Sequence, residues 1–167
     1  MLALQISSTK QFMNQLLVSD CFSSFLLESA SVTTFNTFTI DGRIHPEFFH
    51  SEDSDYSEKT KYAFSKFLDV QEHLFSVIKG RRTPLQMKIT LLLNPEAMEK
   101  LLSSGDCSVP MESLSGFAIN IKYDGDKILL TTAISYESFT MDKSAEPLWD
   151  NALKKFLSAK EILFEEI

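Results

Sequence analysis

Six residues able to hold a metal or move a proton fall within eleven positions: His45, Glu47, His50, Glu52, Asp53 and Asp55. Imidazole and carboxylate side chains together can bind a divalent cation. The ligand candidates are His45, His50, Asp53 and Asp55, and the enzyme they would make is a metal-dependent hydrolase. Pro46 separates the two histidines, so they lack the one-face spacing of a helical zinc pair. The competing reading is an acidic, solvated loop, since residues 50–58 run HSEDSDYSE.

A second set is basic. Lys79, Arg81 and Arg82 form KGRR where a helix is expected to end. Cations there complement the helix dipole. The functional alternative is anion, phosphate or nucleic-acid binding. No aromatic residue interleaves with them along the sequence, as single-strand binders need. Elsewhere, Asp69 stands four residues before His73, the spacing of a surface pair on a helix. Cys21 and Cys107 have no local His or Lys to activate them, so both read as inert. There is no G-x-S-x-G elbow, Walker loop or G-x-G-x-x-G motif. The residues therefore point away from an enzyme, and no cofactor is implied.

Composition narrows the classes further. The chain has 167 residues, 44% of them apolar and 23% charged, which is globular rather than disordered. A formal net charge of -7 opposes broad attraction to nucleic acid, though a local basic patch can survive it. Two cysteines are no disulfide framework. The N-terminus lacks a basic region followed by an apolar core, and no apolar run approaches a bilayer span. The expectation is a cytoplasmic protein with no membrane partner.

The elements that must position these residues follow from periodicity. Residues 2–6 alternate as a strand, and Ser8 or Thr9 caps a short helix carrying Phe12, Met13, Leu16 and Leu17. Residues 25–34 read as a strand. Phe35 is out of phase with Val32, Phe38 and Ile40, so a turn is expected at Phe35-Asn36. A second strand, 37–40, then turns at Asp41-Gly42 into a third piece, 43–45. A helix over 57–79 carries Phe64, Phe67, Leu68, Leu74, Phe75 and Ile78. Strand 85–93 leads to Asn94-Pro95, a helix cap followed by proline at the first position. Strands 116–123 and 127–136 join through Gly125-Asp126, which sets Tyr123 against Ile128, Ile121 against Leu130 and Phe117 against Ile134. Helix 145–160 closes the chain.

Shifting the N-terminal segment by 85 positions places Leu2 on Met87, Leu4 on Ile89, Ile6 on Leu91 and Leu16 on Leu101. Convergence of two strand-helix units explains this as well as duplication does. The expected architecture is α+β within a single domain, 1–167. Antiparallel sheets with helices form two strand-helix-strand-strand halves, 1–50 and 85–140, joined by the long helix.

The stretches FLLESASVTTFNTFTIDGRI and ISYESFTMDKS, with the Trp149 helix behind them, resemble a family of small bacterial proteins, domain of unknown function 5721. The resemblance covers almost the whole chain and implies no activity and no site residues. Separately, the order of elements is similar to half-domains of sliding DNA clamps, by fold analogy alone. The repeated short helices offer Lys10, Glu96, Glu99 and Lys100, not a basic lining. The leading expectation is a non-enzymatic module contacting a protein partner or a second copy of itself. The alternatives are a nucleic-acid-associated, clamp-like protein and the metal-dependent hydrolase.

Overall fold

The computed structural model describes all 167 residues. Strand β1 (Ala3–Ile6) buries Leu4 and Ile6. Ser8 then caps α1 (Thr9–Leu17), its hydroxyl accepting the Gln11 N–H at 3.4 Å. Strands β2 (Phe25–Thr33) and β3 (Thr37–Asp41) form a hairpin with Thr33 opposite Thr37 and Val32 opposite Phe38. Its connection is residues 34–36, so the turn expected at Phe35-Asn36 is present, and it turns Phe35 out of the sheet. A bulge at Glu28 keeps Leu27 and Ala30 on the same buried face.

The chain does not turn back at Asp41-Gly42 to form a third hairpin strand. Gly42 instead packs directly on β2, where its N–H donates to the Glu28 carbonyl at 3.0 Å. A Cβ at this position would lie 1.8 Å from the Leu27 oxygen, so only glycine fits. Beyond it, residues 43–45 make only an isolated bridge, Arg43 with Phe64.

The helix expected over 57–79 is shorter and later. One turn, α2 (Tyr56–Lys59), precedes a two-residue strand, β4 (Ser65–Lys66), and the helix proper is α3 (Phe67–Ile78). The cause is unmet backbone hydrogen bonding. Strand β3 covers only Ser29–Thr33 of β2, leaving the edge at Leu26 and Leu27 bare. Buried amides and carbonyls need partners, and Lys66 and Ser65 supply them. Ser65 N–H also donates to Gly42 and Ile44 N–H to Ala63, at 2.7 and 2.8 Å. Phe64 thereby leaves the helical stripe, and the Arg43 guanidinium sits over its ring at 5.3 Å. Leu68 and Phe75 are solvent-exposed rather than core.

The bends before β4 are tied to the helix following the next strand. That strand is β5 (Gln86–Leu93) and the helix is α4 (Pro95–Ser104), capped as expected by the Asn94 side chain on Ala97 N–H. Glu96 accepts from Lys61 Nζ and Tyr62 Oη, both at 2.7 Å. The Lys61 bond, then the Tyr62 bond, hold its carboxyl down at about 2, against an ordinary 4.5. A depressed folded-state value gives stability that is full above the unfolded value and lost as pH falls through the folded one. Acid titration should therefore show Glu96→Gln losing less stability than wild type between pH 4.5 and about 2. Parallel curves for the two proteins would contradict this.

The remaining strands are β6 (Leu114–Tyr123), β7 (Ile128–Tyr136) and β8 (Phe164–Glu166), with α5 (Ala145–Ala159) before the last. The β6–β7 hairpin has the expected register, Tyr123 on Ile128, Ile121 on Leu130 and Phe117 on Ile134. At its turn, the Lys127 and Asp126 amides donate to the Asp124 carboxylate at 2.8 and 2.9 Å and hold it below the usual range. The protein is α+β, with one open antiparallel sheet of order β3-β2-β5-β6-β7-β1-β8 and β4 on the flank of β2.

One sheet face meets the helices. There Phe22 packs against Phe12, Phe25, Phe67 and Phe156, with ring centroids 5.4 to 6.4 Å away. The other face is largely polar and carries Ser31, Lys88, Thr90, Asn120, Lys122 and Thr131, with Lys88 directly opposite Lys122. No helix is long and apolar enough to cross a membrane.

The two halves share an order of elements but not their pairings. Strand β5 pairs with β6 of its own half, whereas β1 pairs with β7 and β8 and never with β2. A structural repeat would have set both first strands against equivalent neighbours.

Candidate functional site

The KGRR segment lies at one end of the sheet, between the C-terminus of α3 and the β2–β3 turn. Helix α3 ends at Ile78, and Lys79 is already extended while still donating its N–H to Phe75. Gly80 has φ of +149°, a conformation few other residues adopt. Arg81, Arg82 and Thr83 are exposed, and Pro84 is buried. Leu85 then returns to the sheet, its N–H donating to the Thr33 carbonyl at 2.8 Å. The loop is thus pinned at both ends and free between them.

Across from it stands the hairpin turn. Thr34 N–H donates to Asn36, and the Thr33 and Thr37 hydroxyls bond at 3.0 Å, which fixes the tight connection. Phe35 is left 88% exposed, its ring edge-to-face with Phe38 at 6.0 Å. Loop and turn enclose a cleft of about 500 Å³. Val77, Ile78, Phe35 and Leu85 give it an apolar lining, while Lys79, Arg81 and Arg82 give it cations. No Asp or Glu lines it. None of the three cations takes part in any of the chain's ion pairs. Sequence reading found the basic residues but missed the aromatic partner, which lies more than forty positions away. The phase break that predicts the turn at Phe35-Asn36 also frees this large ring from the core, but only the fold sets it beside the basic residues.

The 45–55 cluster is not gathered. His45 Nδ1 lies 3.4 Å from Glu47, both exposed. His50 bonds only through its backbone, its N–H donating to the Asp53 carboxylate at 3.1 Å and its carbonyl accepting from Asp53 N–H at 2.9 Å. Asp55 precedes α2 without a side-chain capping bond. No three His, Cys, Asp or Glu residues are arranged to hold a metal ion. His73 is exposed on α3, and Asp69 pairs with Lys59 at 3.7 Å rather than with it.

Two polar groups are visible only in the fold. Ser108 and Ser144 meet across 36 positions, and both bond to Asp142. The Ser108 hydroxyl, then the Ser144 N–H, hold that carboxylate below its usual range. Ser144 also donates to Cys107 Sγ at 3.6 Å. This network has no imidazole to serve as a base, and it fastens the 105–113 loop to the start of α5. Nearby, the enclosed Tyr136 hydroxyl has no partner and borders a small pocket with Glu146 and Asp150. Both acids are occupied, Asp150 by the Thr132 hydroxyl at 2.6 Å and Glu146 by Lys143 at 3.3 Å. Cys21 is buried, and burial raises its thiol pKa away from reactivity.

These features define an α+β protein built on a one-sided antiparallel sheet, with an unneutralised cationic cleft at one end. The chain belongs to a family of unknown function, DUF5721, whose family model matches residues 15–165. No curated protein and no solved structure matches it, and the analogy to clamp half-domains finds no support.

Proposed function

We propose that this chain is a non-enzymatic interaction module whose contact surface is the cleft between the β2–β3 turn and residues 77–85. One observation carries the reading: three cations without a carboxylate partner border an apolar cleft, in a chain of net charge -7. Like charges held together repel, and an anionic partner relieves that repulsion. The apolar lining adds area that such a partner would bury. The chain's net charge of -7 opposes broad attraction elsewhere on the surface and so favours a compact anionic group over an extended polyanion.

The test is fluorescence anisotropy with a labelled oligoglutamate peptide and a labelled single-stranded oligonucleotide at low salt. Arg81→Glu with Arg82→Glu should weaken binding of any anionic probe by roughly tenfold or more, because a favourable potential becomes a repulsive one. Both arginines are exposed, so the fold should tolerate the change. Probe binding equal in wild type and variant would remove the cleft as the contact surface.

A further inference from the structure

Building on that reading, we propose that the cleft takes a nucleoside phosphate, with its base on Phe35 and its phosphate held by Arg81, Arg82 and the loop backbone. A carboxylate alone would use the cations but leave the rest of the cleft unexplained. Phe35 is 88% exposed at the lip, anchored by Phe38 on one side and free on the other. An exposed ring next to guanidinium groups suits a ligand with a flat π face and a negative group joined to it. Base–aromatic stacking is tolerant of sequence because every base has such a face.

The loop supplies a second, independent feature. The N–H groups of Gly80, Arg81, Arg82 and Thr83 donate to no backbone or side-chain acceptor in the protein, unlike those of Lys79 before them and Leu85 after. Four successive unused donors beside two guanidinium forks match the several acceptor oxygens of a phosphate. The cleft's 500 Å³ falls among pockets that take small ligands. With Arg81 and Arg82 on the phosphate, the lining side chains left to address a base edge are the Thr34 and Thr83 hydroxyls and the Lys79 ammonium, none of which forms a planar, bidentate fork. The site should therefore discriminate weakly between bases. Free nucleotide and the end of a single strand carry the same chemistry, and the chain's net charge of -7 should make a long strand gain little over a short one.

Isothermal titration with the intact protein compares four probes: inorganic phosphate, a nucleoside diphosphate, an eight-residue oligothymidylate and an oligoglutamate peptide. The diphosphate or the oligonucleotide should bind about 5- to 150-fold more tightly than phosphate, the range that one stacked base provides. Phe35→Ala should remove that excess and leave phosphate binding unchanged, while Phe35→Trp should preserve it. For an oligonucleotide contacting three cations, affinity should fall about 20-fold between about 50 and 200 mM salt. Binding of the mononucleotide assigns a free nucleotide as ligand. Binding of the oligonucleotide alone assigns a strand. If phosphate and peptide bind, weaken with Arg81→Glu and Arg82→Glu, and ignore Phe35, the nucleoside inference is overturned while the anion reading stands. If no probe binds, both fail.

Discussion

Trp149→Ala should lower the melting temperature by about 6–20 °C, read by circular dichroism. The ring is only 3% exposed, stacked on Phe117 with centroids 5.3 Å apart and planes within 11°. Its indole N–H donates to the Ala118 carbonyl at 3.0 Å, so one side chain locks α5 onto the middle of β6. Truncating a buried aromatic costs about 3–5 kcal/mol. In a chain of this size, each kcal/mol moves the midpoint by about 2–4 °C. Trp149→Phe keeps most of the apolar volume and loses the hydrogen bond, a cost of about 1 kcal/mol. A midpoint for Trp149→Ala within a few degrees of wild type would mean that α5 does not hold the sheet as described.

Gly42→Ala should cost on the order of 2–3 kcal/mol, although it adds a single methyl group. The new carbon would lie 1.8 Å from the Leu27 oxygen and 2.6 Å from its carbon. Those atoms belong to the backbone of β2, paired on both sides, and cannot rotate away. The chain at residue 42 must lift off, losing the bonds from Gly42 to Glu28 and from Ser65 to Gly42. Each such bond contributes about 0.5–1.5 kcal/mol net, and β4 loses its footing with them. Gly116→Ala is the matched control, because its nearest neighbour is a Leu92 methyl at 4.0 Å. Equal midpoints in urea for the two variants would contradict the close approach at Gly42.

What the sequence showed best was local. The β6–β7 register is legible because the turn residues and the alternation agree on one answer. The caps at Ser8 and Asn94 are legible because they precede helices with clear apolar stripes. The overextended helix shows the limit. Residues 57–66 carry acceptable helical spacing, but the bare edge at Leu26 and Leu27 claimed Ser65 and Lys66 for the sheet, a tertiary demand that periodicity cannot express. Strand β8 was hidden for the same reason, since its three residues, Phe164–Glu166, are defined by pairing with β1.

The candidate site was half legible. Lys79, Arg81 and Arg82 are adjacent in sequence and stand out at a helix end. Phe35 joins them only because the β2–β3 turn and the α3–β5 loop meet at one end of the sheet. Its break in strand phase marked it as a residue outside the core, yet nothing local said what it would face. The His45–Asp55 cluster illustrates the converse: His45 meets Glu47 at 3.4 Å, but across Pro46 and the succession of short turns no three of these side chains gather as metal ligands.

On the proposed reading, the 77–85 cleft is where this protein meets an anion. An amide proton–nitrogen NMR titration with inorganic phosphate addresses it residue by residue. The amides of Gly80, Arg81, Arg82 and Thr83 should shift most and saturate together, with Phe35 following when a nucleotide replaces phosphate. Shifts centred instead on Lys88 and Lys122 of the open sheet face, or no saturable shifts anywhere, would contradict it.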